Sequence, residues 1–434
     1  MPHRIAQHPR PPTVVRAELA VLAGLALLLL VAPQVQASDL LSLSGFGTLG
    51  YQADNNSYVA PTRDISQLPR NLYAAGPSWR MDSRLGVQVT SKPNPNVDLV
   101  AQVVVRDQYK SSLDSATEFA YVALHPNTSL DLRLGRVGYS AFLMADYRNV
   151  GYAYPWVRPP VEFYGWIPIF SVDGVDAAYS VQRDDAVWRM KAQFGKSHVW
   201  LPLASGVGGG YQFKTDNLST FSLSRQSSFL RLKAAYSSFT AKTDAPIIAP
   251  LEAGLDQVAS AGIPGVSANA AALDSQVSFK GARVGYTTLG AAYDNNTWLL
   301  QTEIGRSTSS AHVVPTGRMA YASVGRRFGD WMPFCMVSTY RPGAMLNASA
   351  YDMGAALNAS LGSAAEKLVN YTRINQTTTS LGVRWDFRPH AALKLQWDST
   401  RSQPPGFGIG NFAHGLNLQS VHLDQITATV DFIF

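Results

Sequence analysis

Residues 421–434 read VHLDQITATVDFIF. Ile426, Ala428, Val430, Phe432 and Phe434 are apolar, Gln425, Thr427, Thr429 and Asp431 fall between them, and Ile433 alone breaks the alternation. Successive side chains of a strand point to opposite faces, so this period of two marks a sheet with one apolar and one polar face. The same theme recurs upstream. Leu381, Val383, Trp385 and Phe387 alternate with Gly382, Arg384 and Asp386, and Leu393, Leu395 and Trp397 with Lys394, Gln396 and Asp398. Trp188, Met190, Ala192 and Phe194 alternate with Arg189, Lys191 and Gln193. Strands that carry arginine and lysine on one face and aromatics on the other suit a wall between water and lipid better than a soluble sandwich. Trp188, Trp298, Trp331, Trp385 and Trp397 fall near strand ends, where an aromatic girdle meets lipid headgroups.

The start of the chain is different. Arg4, Arg10 and Arg16 precede an unbroken apolar stretch from Leu19 to Val31, and Val35-Gln36-Ala37 then ends on a small residue. A basic start, a short apolar core and a small-residue exit describe a cleaved secretory signal over residues 1–37, leaving 38–434 as the folded domain. The apolar stretch falls short of the roughly 20 residues a spanning helix needs. The whole chain carries a net charge of +6 without a basic arm or patch, so nucleic acid is not an expected partner. Cys335 is the only cysteine, so an exported chain must be held by something other than an internal disulfide. Mean hydropathy is near zero, and no apolar run beyond the leader reaches helix-spanning length.

Connections sharpen the assignment. Short turns rich in Pro, Asn, Asp and Gly fall at Ser91–Asn96, His125–Ser129, Gln182–Asp185, Gln226–Ser227, Asp294–Asn296, Gly329–Asp330 and Arg388–His390. Interleaved with them are mostly longer loops near 54–79, 110–116, 138–172, 197–217, 240–276, 308–317, 342–373 and 402–420. Fifteen alternating connections require sixteen strands, which predicts an all-β, antiparallel transmembrane barrel in one domain. Ala241–Ala270 and Ala344–Leu368, rich in Ala, Ser, Gly and Asn, read either as short helices or as mobile surface segments.

A terminal Phe434 after alternating apolar residues resembles the last strand of Gram-negative outer-membrane proteins. Sixteen strands with a long connection after the fifth resemble the porin family. That resemblance implies a water-filled channel in the outer membrane for small polar solutes or ions, and a third loop folded into the barrel. It also implies outer-membrane lipid and the barrel-assembly machinery as partners, the latter reading Phe434, and a homotrimer.

The third loop, GYSAFLMADYRNVGYAYPWVRPPVEFYGWIPIF at 138–170, is the most individual stretch. Phe142, Leu143, Met144, Trp156, Phe163, Trp166, Ile167 and Phe170 are too apolar to stay exposed. Pro155, Pro159, Pro160 and Pro168 exclude a long regular helix. The expectation is a constriction in which Asp146, Arg148, Arg158 and Glu162 face a passage; the alternative is a packed surface cap whose charges pair with one another. Arg84, Arg106, Arg133, Arg189, Lys191, Arg231, Lys233, Arg283, Arg384 and Lys394 are read as facing inward, with Asp82, Glu118, Asp131, Glu303, Asp386, Asp398 and Asp431 on the same register. The basic surplus suggests a weak anion preference, against a reading in which adjacent strands simply pair opposite charges.

Catalytic chemistry finds no constellation. There is no G-x-S-x-G elbow, since Gly138-Tyr139-Ser140-Ala141 continues with Phe142, and no phosphate-cradling loop. His125, His198, His312, His390, His414 and His422 show no metal-ligand spacing, so neither cofactor nor metal is expected. The chain therefore reads as a non-enzymatic channel. The alternatives are a receptor or adhesin, or a membrane-embedded hydrolase.

Overall fold

The computed structural model describes residues 40–434 except 57–58, 68–76, 204–208, 405, 407, 409 and 413–419; the leader assigned to 1–37 lies outside them. Sixteen antiparallel strands close into a barrel. They are β1 Leu41–Asp54, β2 Arg84–Asn94, β3 Val97–Arg106, β4 Thr117–Asn127, β5 Leu130–Gly138, β6 Ser171–Arg183, β7 Ala186–Pro202 and β8 Gly210–Gln226. The second half is β9 Leu230–Ala241, β10 Arg283–Asp294, β11 Trp298–Ser309, β12 Gly317–Arg326, β13 Trp331–Pro342, β14 Gln376–Arg388, β15 Ala391–Ser402 and β16 Val421–Ile433. Each strand pairs with the next, and β1 closes on β16 from Phe46↔Ile433 to Asp54↔Gln425. Two short strands, Val59–Pro61 and Gly410–Phe412, pair with each other in the loops.

The turns do what their residues allow. Asp184, Asn296, Gly329 and His390 take the left-handed conformation (φ 55°, 68°, 59° and 66°), each in one of the short turns read from the sequence. Both ends of the barrel sequence, Leu41 and Phe434, lie on this side. All the longer connections lie on the other. Three of them carry helices of note, at Ala249–Ser260, Val266–Val277 and Ser363–Tyr371 in the two alanine-rich loops, and a single turn at Val161–Tyr164 in the third. Among the described residues no helix is long and apolar enough to cross a membrane.

The outer face is apolar and open. Leu381, Leu393 and Ile426 are 48%, 38% and 57% exposed, as are comparable residues all round the wall, among them Leu134, Phe194, Leu289 and Val337. Trp188, Trp298, Trp331 and Trp385 gather at the turn side, and the Trp331 and Trp385 rings stack with centroids 5.0 Å apart. Trp397 does not belong to this girdle, because it pairs with Leu381 and Ile426 at mid-strand. Phe432 and Phe434 close the seam: their rings cover Gly47 and Gly45 of β1, where a Cβ would collide with them.

The inner face is not uniformly polar. Gln425, Thr427, Thr429 and Asp431 of β16 are buried inward, as the alternation requires. On β12 and β13, however, Met319, Tyr321, Met332, Phe334, Met336 and Tyr340 point inward, while Val324, Cys335 and Val337 occupy the opposite register. Arg283 is corrected by the same parity. It shares a register with exposed Leu289, opposite to buried Val284 and Tyr286, and faces out.

Candidate functional site: the 139–170 connection and the inner wall

The connection between β5 and β6 has almost no regular structure, only the short turns Gly151–Ala153 and Val161–Tyr164 among its prolines. It is nevertheless buried: Trp156, Val157, Phe163 and Ile167 are 0% exposed. The side chains it meets belong to the barrel face opposite the exposed apolar one. Its aromatics meet β10, β12 and β13, with Phe163 edge-on to Tyr321 (5.5 Å), Trp166 to Tyr340 (5.2 Å) and Phe142 to Tyr286 (6.3 Å). Such offset and edge contacts suit the ring quadrupoles. Trp156 Nε1 donates to Ser323 Oγ at 2.7 Å, and the amide of Leu143 to Glu303 at 2.8 Å.

Its charged residues serve as attachments. Arg158, 4% exposed, bridges Asp82 (2.7 Å) and Asp398 (2.8 Å) and also donates to Thr427 (2.7 Å). Glu162, 0% exposed, accepts from the hydroxyls of Ser338 and Thr378 and from Gln376 Nε2. Arg148 donates to the carbonyl of Ile169 (2.6 Å), and its guanidinium lies 3.8 Å from the centroid of the Phe170 ring. These three side chains, expected to face a passage, are buried against partners instead. A long charged side chain inside a barrel reaches whichever complementary group is near, and here strands and loops supply one for each. Asp146 alone of the four is exposed.

The inward cations divide in the same way. Lys394 Nζ donates to the carbonyls of Gly151 (2.6 Å) and Trp156 (2.8 Å) beside Asp431 (3.1 Å). Arg384 holds the Tyr152 carbonyl (2.7 Å) while paired to Asp386 (2.7 Å), and Lys233 holds that of Phe142 (2.7 Å). Arg106 pairs with Asp64 (2.9 Å), and Arg84 is buried beside the Tyr154 hydroxyl (3.4 Å). The basic side chains of β5, β7 and β9 keep some access to water. Arg133 grips Asp176 through two bonds (2.8 and 2.7 Å), Lys191 shares that carboxylate (3.1 Å), and Arg189 pairs with Asp131 (2.7 Å) with 41% of its side chain exposed. Arg231 is exposed and Lys233 half-buried. The charges acting on Asp146 are Lys191, Lys233, Arg133 and Arg189, which sets the exposed acid of the loop against the basic stretch of the wall.

The polar anchors Ser323, Ser338, Thr378 and Gln396 were missed from the sequence, although their inward register was readable on β14 and β15. The aromatic seat on β12 and β13 gave no signal, because both faces of those strands are apolar.

This arrangement defines a closed sixteen-stranded β-barrel with a charged inner wall. No protein-family model matches the chain, and no curated protein matches it. Solved structures similar in fold include the outer membrane channel DcaP of Acinetobacter baumannii, at 9% identity over 93% of this chain and 100% of that one, TM-score 0.48. The anion-selective porin from Comamonas acidovorans matches at 11% identity over 91% and 100% of the two chains, TM-score 0.47. OmpF of Salmonella typhi, solved with daunomycin, matches at 10% identity over 91% and 97%, TM-score 0.49.

Proposed function

We propose that the chain is an outer-membrane porin, a channel for passive diffusion of small polar solutes or ions with a weak anion preference. The observation that carries this reading is the pairing of two surfaces. A closed barrel presents Leu134, Phe194, Leu289, Val337, Leu381 and Ile426 outward, and a water-accessible basic stretch inward. In lipid every backbone group must be satisfied internally, and a closed sheet does this without an edge. The leader-like residues 1–37 support export, and terminal Phe434 supports delivery by the barrel-assembly machinery.

In this reading residues 139–170 fold into the lumen and narrow it to a path beside the basic residues of β5, β7 and β9. Asp146 faces Arg133, Arg189, Lys191, Arg231 and Lys233 there, while Arg158, Glu162, Arg384 and Lys394 hold the loop. The basic surplus lowers the barrier for anions. Assembly as a homotrimer follows from the resemblance alone, and the mass of the detergent-extracted protein tests it. The function itself is tested by planar-bilayer recording of refolded protein in a salt gradient. Discrete conductance steps with a reversal potential displaced toward the anion side are expected. A non-conducting barrel would end the channel reading and return the receptor and hydrolase alternatives.

A further inference from the structure

Three arginines stand in a row on the lipid side of the wall. Arg306 of β11, Arg318 of β12 and Arg341 of β13 are exposed and take the outward register of their strands, the one that also carries Ile304, Ala322 and Val337. Strand pairing sets them side by side: Arg306 lies directly opposite Arg318, and Arg318 directly opposite Arg341. Neighbouring strands are about 4.8 Å apart, and like charges in that relation destabilise a sheet. Among the described residues none of the three has a carboxylate partner, and Arg341 donates to the side-chain oxygen of Asn375 at 3.0 Å. Adjacent cations with no counter-charge in the chain suit an anion from outside it.

The height of the row says where that anion lies. From Trp298 to Arg306 is eight residues, and from Trp331 to Arg341 ten. At roughly 3.4 Å per residue and a tilt of about 40°, these spans rise about 21–26 Å, close to the apolar band of an outer-membrane barrel. The arginines therefore stand at headgroup level on the loop side, across the band from the tryptophans. Beneath Arg318, the next two outward residues of β12 are Ala320 and Ala322, set between Ile304 of β11 and Val337 of β13. Small residues between larger ones leave a shallow furrow that runs down the wall from the middle arginine.

We propose that Arg306, Arg318 and Arg341 bind the phosphate headgroup of a lipid in the loop-side leaflet, with one acyl chain of that lipid in the furrow over Ala320 and Ala322. Guanidinium forks match phosphate oxygens without a bridging cation. A soluble anion would answer the charges alone, whereas a lipid answers both the charges and the furrow below them. The site rests on the outer-membrane reading of the barrel but not on its conducting.

Native mass spectrometry of the refolded full chain, released from an uncharged detergent, counts retained lipid. Dioleoyl phosphatidic acid supplies phosphate and chains, dioleoylglycerol the chains alone, and inorganic phosphate the anion alone. Saturable retention of phosphatidic acid is expected, with little of dioleoylglycerol and no displacement by millimolar phosphate. Arg318→Gln should weaken retention about fivefold, and the triple variant Arg306→Gln, Arg318→Gln, Arg341→Gln about a hundredfold. Arg326→Gln, at the turn side over Trp298, should have no effect. Ala322→Phe fills the furrow and should lower retention with the arginines intact. In neutral phosphatidylcholine vesicles Arg318→Gln should melt no lower than the wild type, since it relieves repulsion, and added phosphatidic acid should raise the wild-type melting temperature more. Equal retention of phosphatidic acid and dioleoylglycerol, or full retention in the triple variant, would overturn the site whether or not the barrel conducts. Displacement by inorganic phosphate would overturn the lipid as its occupant, and unchanged retention in Ala322→Phe would overturn the place given to the chain. A non-conducting barrel that still retains the lipid would end the channel reading and keep the site.

Discussion

Replacing Arg158 with methionine separates the two attachments of the 139–170 connection. The guanidinium bonds Asp82 and Asp398 at 2.7 and 2.8 Å with all three side chains nearly excluded from water. Removing one member of a buried ion pair costs about 3–5 kcal/mol, because the partner stays buried without its counter-charge. Asp82 retains Arg63 at 3.2 Å, and Asp398 retains Ser380 and Gln396 (2.5 and 2.6 Å), so the lower end applies, about 3 kcal/mol. Local opening of the segment should then rise about a hundredfold, at roughly 1.4 kcal/mol for each factor of ten. Hydrogen exchange reads this directly at amides bonded within the connection, such as Val157 to Gln396 Oε1 (2.9 Å) and Gly165 to the Val161 carbonyl (2.8 Å). Strand amides of β14–β16 should be unaffected, and single-channel records should become noisier. Adding Asp82→Asn should recover part of the protection. Unchanged exchange at Val157 and Gly165 would mean that the aromatic seat and the remaining polar bonds hold the segment without Arg158, and the role given to Arg158 would be wrong.

Three further outcomes are expected. Asp146→Ala removes the exposed acid of the connection and should raise the anion-to-cation permeability ratio about two- to fourfold, the effect of one charge a few ångströms from a solvated path; Lys191→Ala should move the reversal potential the other way. Deleting Phe434 uncovers Gly45 on β1 and removes the terminal aromatic, so the heat-modifiable barrel should be depleted from outer-membrane fractions while export continues; undiminished levels would count against it. In the fifth loop, burial raises the carboxyls of Glu252 and Asp274 above the ordinary carboxylate range, with Asp244 and Asp256 adding repulsion. The packed helices therefore bind more protons than the unfolded loop, and their stability falls as pH rises above the ordinary carboxylate range of about 4 toward the raised values. Amides of Ala249–Ser260 and Val266–Val277 should be better protected at pH 4 than at pH 7. Asp256→Asn should shrink that difference, and equal protection at both pH values would dismiss the effect.

The barrel was legible because a strand between unlike solvents must alternate, and because Asp, Asn, Gly and His residues mark turns wherever a positive φ is needed. The fourteen-residue stretch that ends at Phe434 therefore carries its own register. β12 and β13 were quieter, since Met319, Tyr321 and Met336 look inward onto rings of the connection while Val324 and Val337 look outward. Apolar on both sides, they show no period. The connection's need to be packed was also plain from its aromatics. The roles of its charges were not. Arg158 meets Asp82, Asp398 and Thr427 at separations of 76, 240 and 269 residues, and no local pattern encodes a partner so distant.

A sixteen-stranded barrel is wide enough to leave a continuous aqueous lumen if nothing occupies it. Here the connection lies against β10–β13 through rings, against β14–β16 through ion pairs and carbonyl bonds, and also touches β4, β7 and β9 through Glu118, Gln193, Ser237 and Lys233; in the proposed channel the path left to water runs beside the basic residues of β5, β7 and β9. On that wall Arg133, Arg189, Lys191, Arg231 and Lys233 outnumber Asp131, Asp146 and Asp176. In the proposed channel, selectivity and aperture fall to different residues. Arg158 and Lys394 are matched by the buried Asp82, Asp398 and Asp431, Glu162 is held by hydroxyls and an amide, and Arg384 holds the Tyr152 carbonyl beside Asp386, so removing one changes how firmly the connection is held. The wall cations keep access to water, where a fixed charge acts on passing ions within a Debye length of roughly 8–10 Å. Variants in the first group should therefore alter conductance and noise at constant reversal potential. Variants in the second should shift reversal potential with little change in exchange at Val157. If both groups moved the same observable, access to water would not be what separates them, and the passage would have to run through the anchored side of the loop.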